Sequence, residues 1–76
     1  MEEKIIHLME IAFDIQLKEK NISECAPETI KNWDSLTFLN FLTLLEESFN
    51  VSFILDEIAE MSAGGNIIMS ILKRKL

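Results

Sequence analysis

Apolar positions recur at helical spacing in three long stretches of this chain, and one region between them loses the period. From about Glu2 to Leu17, Ile5, Leu8, Met9, Ile11, Ala12, Phe13 and Ile15 share one broad arc while His7, Glu10 and Asp14 fall on the other, which predicts an amphipathic helix. Between Lys18 and Trp33 the spacing fades, and Asn21, Ser23, Pro27, Thr29 and Asn32 mark a long loop. Loops of this length in small domains are usually functional or locally packed, so Ile22, Cys25 and Ile30 are expected to tuck onto the core.

Asp34 is a good N-cap for a second helix running to about Asn50, because its carboxylate can accept hydrogen bonds from the first-turn amides. Trp33 then precedes the cap and Phe38 stands in the first turn, the spacing of a hydrophobic staple. Phe38, Leu39, Phe41, Leu42, Leu45 and Phe49 form the expected core arc; Asn40, Thr43 and Glu47 line the other side, with Leu36 exposed beside them. Val51-Ser52-Phe53 reads as an extended connector that drops two apolar side chains inward. Asp56 to Met61 reads as a short third helix with Ile58 inward and Glu57 and Glu60 outward. Ser62 is the expected cap of a fourth helix, to about Lys75, whose Ile67, Ile68, Ile71 and Leu72 face the core. Gly64 and Gly65 each cost about 1 kcal/mol relative to Ala within a helix, so that helix frays or starts late. The terminal Lys73, Arg74 and Lys75 suit a helix C-terminus.

The pattern predicts an all-α fold: one domain spanning residues 1–76, a small four-helix bundle with a long loop between its first and second helices and a short third helix. Composition agrees, with 49% hydrophobic residues, two Gly and one Pro in 76 residues. A domain of this size needs most of its apolar residues for its core, which leaves little room for a deep substrate pocket. The single cysteine, Cys25, permits no internal disulfide and no Cys-based metal site, and with only the flexible Lys20 and Lys31 nearby it reads as a small loop hydrophobe. An acidic start, Met1-Glu2-Glu3-Lys4, and the lack of a long apolar run lead us to expect a cytoplasmic protein without membrane insertion.

Charge is unevenly distributed. Residues 32–72 hold no Lys or Arg but contain Asp34, Glu46, Glu47, Asp56, Glu57 and Glu60, while the seven other acids are matched by seven bases elsewhere, so this stretch accounts for the net charge of −6. Such a field repels nucleic acid and anionic membrane and attracts basic protein surfaces, or serves only as a solvated face.

Candidate chemistry concentrates at Trp33-Asp34-Ser35-Leu36. Ser35 is expected at the first helical position, where unpaired amides and the positive end of the helix dipole favour an attached phosphate. Asp34 adds a repelling charge there, yet its oxygens can help hold Mg²⁺ during phosphoryl-type transfer. Alone, Asp-Ser-Leu is equally a plain helix start. A catalytic serine is disfavoured, since no nucleophile elbow is present and the one histidine, His7, lies far upstream on the polar arc.

Asp34-Ser35-Leu36, the helix end Leu45-Glu46-Glu47-Ser48-Phe49, the extended connector, the acidic short helix and the final apolar helix together resemble the acyl carrier protein family, along nearly the full chain. The resemblance implies that Ser35 carries a 4′-phosphopantetheine arm, installed from coenzyme A by a Mg²⁺-dependent phosphopantetheinyl transferase, with Asp34 supporting as a possible metal contact. It implies a free-standing, monomeric carrier that is no enzyme itself, its arm holding acyl intermediates as thioesters for fatty-acid, polyketide or related biosynthesis. It also implies docking on basic patches of acyl-loading and acyl-processing enzymes through Leu36, Glu46, Glu47, Asp56, Glu57 and Glu60, and an acyl chain housed among Leu39, Leu42, Phe49, Ile58 and Ile68. Trp33 stands where fatty-acid carriers have Gly, which is more similar to carriers of specialised pathways. An aminoacyl or peptidyl carrier, and a non-carrier acidic helical interaction module, remain alternatives.

Overall fold

A computed structural model of the chain describes residues 1–17 and 21–76. Among these residues the chain forms four α-helices and no strand: α1 (Glu2–Phe13), α2 (Ser35–Phe49), α3 (Leu55–Met61) and α4 (Gly65–Lys75), with one 3-10 turn at Ile22–Glu24. The radius of gyration, 11.0 Å, matches the about 11 Å of a folded chain this long, so the helices form one bundle. The start of the long loop at Lys18, and Lys20 as a neighbour of Cys25, lie outside the described residues.

α1 is shorter than its hydrophobic period suggests. Asp14 adopts a left-handed conformation (φ 54°, ψ 53°), a region in which Asp and Asn are tolerated, and ends the helix four residues before Leu17. The Glu10 carbonyl accepts from the amides of Asp14 and Ile15, and the Glu10 side chain accepts from the amide of Leu17 at 2.8 Å. α2 ends by the same device. Asn50 is left-handed (φ 56°, ψ 51°), the Glu46 carbonyl accepts from Asn50 and Val51, and the Glu46 carboxylate accepts from Phe53 at 2.9 Å. Each glutamate thus holds the extended segment after its own helix, and Leu17 and Phe53 are thereby seated in the core.

α1 lies along α2, while α4 packs on α3 and on the 3-10 turn. Ile5, Met9, Phe13, Phe41, Leu45, Ile68, Ile71 and Leu72 are fully enclosed, and so are Cys25 and Ile30 from the loop; Ile22 joins them as expected. Three expected core residues lie at the surface instead: Ile11 is 56% exposed, Leu39 54% and Ile67 39%. Each flanks a face already filled by bulkier or better placed neighbours. On α2 the spacing Phe38, Phe41, Leu42, Leu45 completes a stripe toward α1, and Leu39 is turned about 100° from Phe38.

The loop is bound down at several points. The Ile22 amide donates to the Glu2 carboxylate at 2.9 Å, and the Asn32 side chain donates to the Phe13 carbonyl at 2.8 Å. The Thr29 hydroxyl donates to the Glu24 carbonyl at 2.6 Å and accepts from the Ala26 amide. Trp33 completes the anchoring. Its ring stacks on Phe13 (centroids 4.9 Å, 15°) and on Phe38 (5.6 Å, 16°), so the expected staple extends into a three-ring stack that reaches back to α1.

Ser62 does not cap α4. It ends α3, with its hydroxyl donating to the Ala59 carbonyl at 2.6 Å, and α4 begins only at Gly65. The two glycines explain the late start. Gly64 has φ 145°, which side-chain-bearing residues rarely adopt, and the Gly65 amide donates to the Cys25 carbonyl at 2.7 Å. A Cβ on Gly65 would stand 2.2 Å from the Ile22 carbonyl oxygen, so α4 meets the loop backbone to backbone.

Phe38→Ala should lower stability by about 3–5 kcal/mol, and Trp33→Gly by less because the indole is half-exposed. At about 4–8 °C per kcal/mol for a domain this size, thermal unfolding resolves both, and unchanged melting in the two variants would remove the staple. Gly65→Ala should destabilise by about 1–3 kcal/mol, the usual range for overpacking. A rise in melting temperature, as expected for a Gly→Ala change at an unconstrained helix position, would show that no close approach exists there.

Candidate functional site

Asp34 has an extended backbone (φ −136°, ψ −176°), and its Oδ1 accepts from the amides of Leu36 and Thr37, each at 3.0 Å. Thr37 closes a capping box: its hydroxyl accepts from the Asp34 amide at 2.9 Å and donates to the Asn32 carbonyl at 2.6 Å. The role of Thr37 escaped the sequence reading, although Asp-x-x-Thr was its signal. These bonds hold the Asp34 carboxyl below its ordinary value, chiefly through the Thr37 amide, with further help from the Thr37 hydroxyl and the Leu36 amide.

Ser35 opens α2 and is exposed, and no hydrogen bond joins its hydroxyl to another described residue. The expectation of unpaired amides converging on it needs correction. The amides of Leu36 and Thr37 are occupied by Asp34 and that of Phe38 by the Asp34 carbonyl, which leaves only the amide of Ser35 itself open in the first turn. The site is therefore an accessible hydroxyl next to a carboxylate rather than a prepared anion cradle. Asp34 Oδ2 has no partner among the described residues, so one oxygen is open to a cation that a partner brings. No cluster of three or more metal-ligating His, Cys, Asp or Glu side chains occurs among the described residues.

Beside Ser35 lies an open hollow of about 260 Å³, lined by Pro27, Trp33, Asp34, Ser35, Phe38 and Ser62. It was not foreseen, because Pro27 and Ser62 reach it from segments far apart in the chain. The interior positions expected to house an acyl chain are otherwise engaged: Leu42 and Ile68 are buried in the core, Phe49 and Ile58 are half-buried, and Leu39 faces outward.

The residues expected at a docking face differ in exposure. Leu36 is 70% exposed, and Glu47, Asp56 and Glu60 are exposed without a partner among the described residues. Glu46 is half-buried and holds Phe53. Glu57, expected outward, is half-buried; it accepts from the Ile54 amide at 3.0 Å and pairs with Lys75 at 2.9 Å. The Ile54 amide first, then Lys75, hold the Glu57 carboxyl below its ordinary value. Lys75 also lies 5.7 Å from the Phe53 ring centre, so it clasps α4 to the start of α3. Ile54 (63% exposed) and Leu55 (82%) add an apolar pair that the sequence reading did not single out.

Because the carboxyl of Asp34 is lowered in the folded state, its contribution to stability is present above the ordinary aspartate value of about 3.9 and is lost as the pH falls through the folded value. Asp34→Asn keeps a capping oxygen but titrates no proton. Its melting temperature should therefore stay near that of the parent at neutral pH and fall less on acidification below about pH 4; equal acid sensitivity of the two proteins would exclude this role for the Asp34 carboxylate. Comparison of the chain with family models, curated proteins and solved structures gives no significant match.

Proposed function

We propose that the chain is a carrier of the acyl carrier protein type, in which the Ser35 hydroxyl is esterified by a 4′-phosphopantetheine arm taken from coenzyme A. The observation that carries this reading is the exposed Ser35 hydroxyl, without a partner among the described residues, at the first position of a long helix whose start is rigidly held. Four helices with a long first connection and a short third helix agree with an acyl-carrier-like bundle.

The residues present fit such a group. A free primary hydroxyl is the attachment chemistry required, solvent exposure gives a transferase access, and the open Asp34 oxygen suits a Mg²⁺ held jointly with coenzyme A phosphates. In loading, Ser35 Oγ loses its proton to the transferase and bonds to phosphorus, while the bond to the 3′,5′-ADP portion of coenzyme A breaks. Once bound, the arm supplies a thiol that holds acyl groups as thioesters. The protein contributes positioning: the capping box and ring stack fix where the arm is rooted.

Glu47, Asp56 and Glu60 steer basic partner surfaces toward the site, and Leu36 offers an apolar contact next to the serine. This combination favours rapid, reversible association. No helix among the described residues is long and apolar enough to cross a membrane, in keeping with partners met in water.

A second reading is favoured by one observation: Asp34 already satisfies two first-turn amides, as a pure helix cap would. On that reading the chain is an acidic interaction module and Ser35 has no covalent role. Intact mass after incubation with coenzyme A, Mg²⁺ and a broad-specificity phosphopantetheinyl transferase separates the two. The carrier gains one phosphopantetheine and Ser35→Ala gains none; no gain in the parent protein leaves the interaction module.

A further inference from the structure

The hollow beside Ser35 has a chemical character that restricts its occupant. Its apolar lining is Trp33 and Phe38, whose rings are stacked on one another with centroids 5.6 Å apart, together with Pro27. Apart from Ser35, the attachment point, its polar rim consists of acceptors. The Asp34 carboxylate is ionised and has an open oxygen, and the Ser62 hydroxyl has its proton committed to the Ala59 carbonyl, leaving it able only to accept. An anionic occupant would be repelled by Asp34. A branched apolar group that also brings hydrogen-bond donors is complementary to both apolar lining and rim.

Size narrows the choice further. About 260 Å³ lies below the range of roughly 300–1,000 Å³ typical of sites that enclose a drug-sized ligand, so the hollow takes one compact group and not an extended acyl chain. Ser35 is itself part of the lining, so a group attached to it is rooted at the hollow.

We infer that the hollow seats the root of the prosthetic arm: the dimethyl-substituted carbon, one methylene beyond the phosphate ester, packs against Trp33 and Phe38, and the adjoining hydroxyl and amide N–H donate to Asp34 and Ser62. This rests on the carrier reading of Ser35. The dimethyl carbon is only a few bonds from the serine oxygen, so the arm reaches the hollow without folding back on itself. The phosphate stays at the mouth, where the Ser35 amide is the open first-turn donor and Asp34 keeps it from moving deeper. Trp33, at a position where the resembled fatty-acid carriers have Gly, thereby has a second task beyond the staple. It immobilises the near half of the arm while the thiol end remains free to move.

Trp33 is the sole tryptophan and reports on its own contacts. The protein is compared before and after loading from coenzyme A, with loading followed by intact mass. Loaded protein should show a blue shift of Trp33 emission, weaker quenching by acrylamide, and nuclear Overhauser contacts from the arm's two methyl groups to ring protons of Trp33 and Phe38. In Ser62→Phe, which fills the hollow from its rim, attachment of the arm should bring neither those contacts nor a change in quenching relative to the same variant unloaded. Loaded parent protein with no methyl-to-ring contacts and unaltered quenching would overturn the inference while leaving the carrier reading intact. Methyl-to-ring contacts that persist in loaded Ser62→Phe would also overturn it. Failure of the parent to gain mass would remove the carrier reading and this inference together. Should Ser62→Phe not fold, the contacts in the loaded parent protein decide the matter alone.

Discussion

The stacking of Trp33 between Phe13 and Phe38 is the contact on which the arrangement of this protein depends. It joins the last residue of α1, the end of the loop and the first turn of α2 in a single apolar unit. With the indole held there, the next residue must leave the stack in an extended conformation, which places the Asp34 carboxylate over the opening amides of α2. Ser35 then starts the helix, exposed at the edge of the hollow that Trp33 and Phe38 also line. Its exposure is a consequence of the packing behind it rather than an accident of a loose terminus.

Among the described acidic residues are two sets that the formal charge does not distinguish. Glu2, Glu10, Glu46 and Glu57 accept backbone amides and hold connecting segments in place; Glu57 also binds Lys75. Glu47, Asp56 and Glu60 face water. Only the second group contributes to an open attractive field, because a carboxylate engaged by an amide or an ammonium has part of its charge already answered. The open acidic surface is thus narrower than the run of acids implies. Leu36, Leu39, Ile54 and Leu55 give it more apolar area than expected.

The same bookkeeping changes the physical basis of the functional reading. A helix start is often a favourable place for an anion because its amides are free, but here Asp34 has taken two of them. On the proposed carrier reading, a phosphodiester at Ser35 relies on the covalent bond, not on a prepared binding site, and the protein acts as a handle with a fixed point of attachment, a hollow beside it and a charged flank.

Local rules made much of this legible in advance. The cap at Asp34, the staple of Trp33 and Phe38, the position of Ser35, the exposure of Leu36 and the burial of Ile22, Cys25 and Ile30 all follow from spacing and side-chain chemistry within a few residues. Where competition between elements decided the outcome, periodicity misled. Asp14 ended α1 early because a left-handed residue let Glu10 gather three amides. Leu39 and Ile67 were left outside because the inner faces of α2 and α4 were already complete. Gly64 and Gly65 moved the start of α4 because a loop backbone more than 35 residues away had to pass within hydrogen-bonding distance. The Glu57–Lys75 pair and the hollow beside Ser35 likewise join residues distant in the chain. Sequence alone determined where α2 begins, which side chains prefer water and which hydroxyl stands at its mouth, since these depend on neighbours a turn away. Tertiary structure alone decided which acids remain free and what cavity adjoins the serine, since both depend on which surfaces meet once the helices pack.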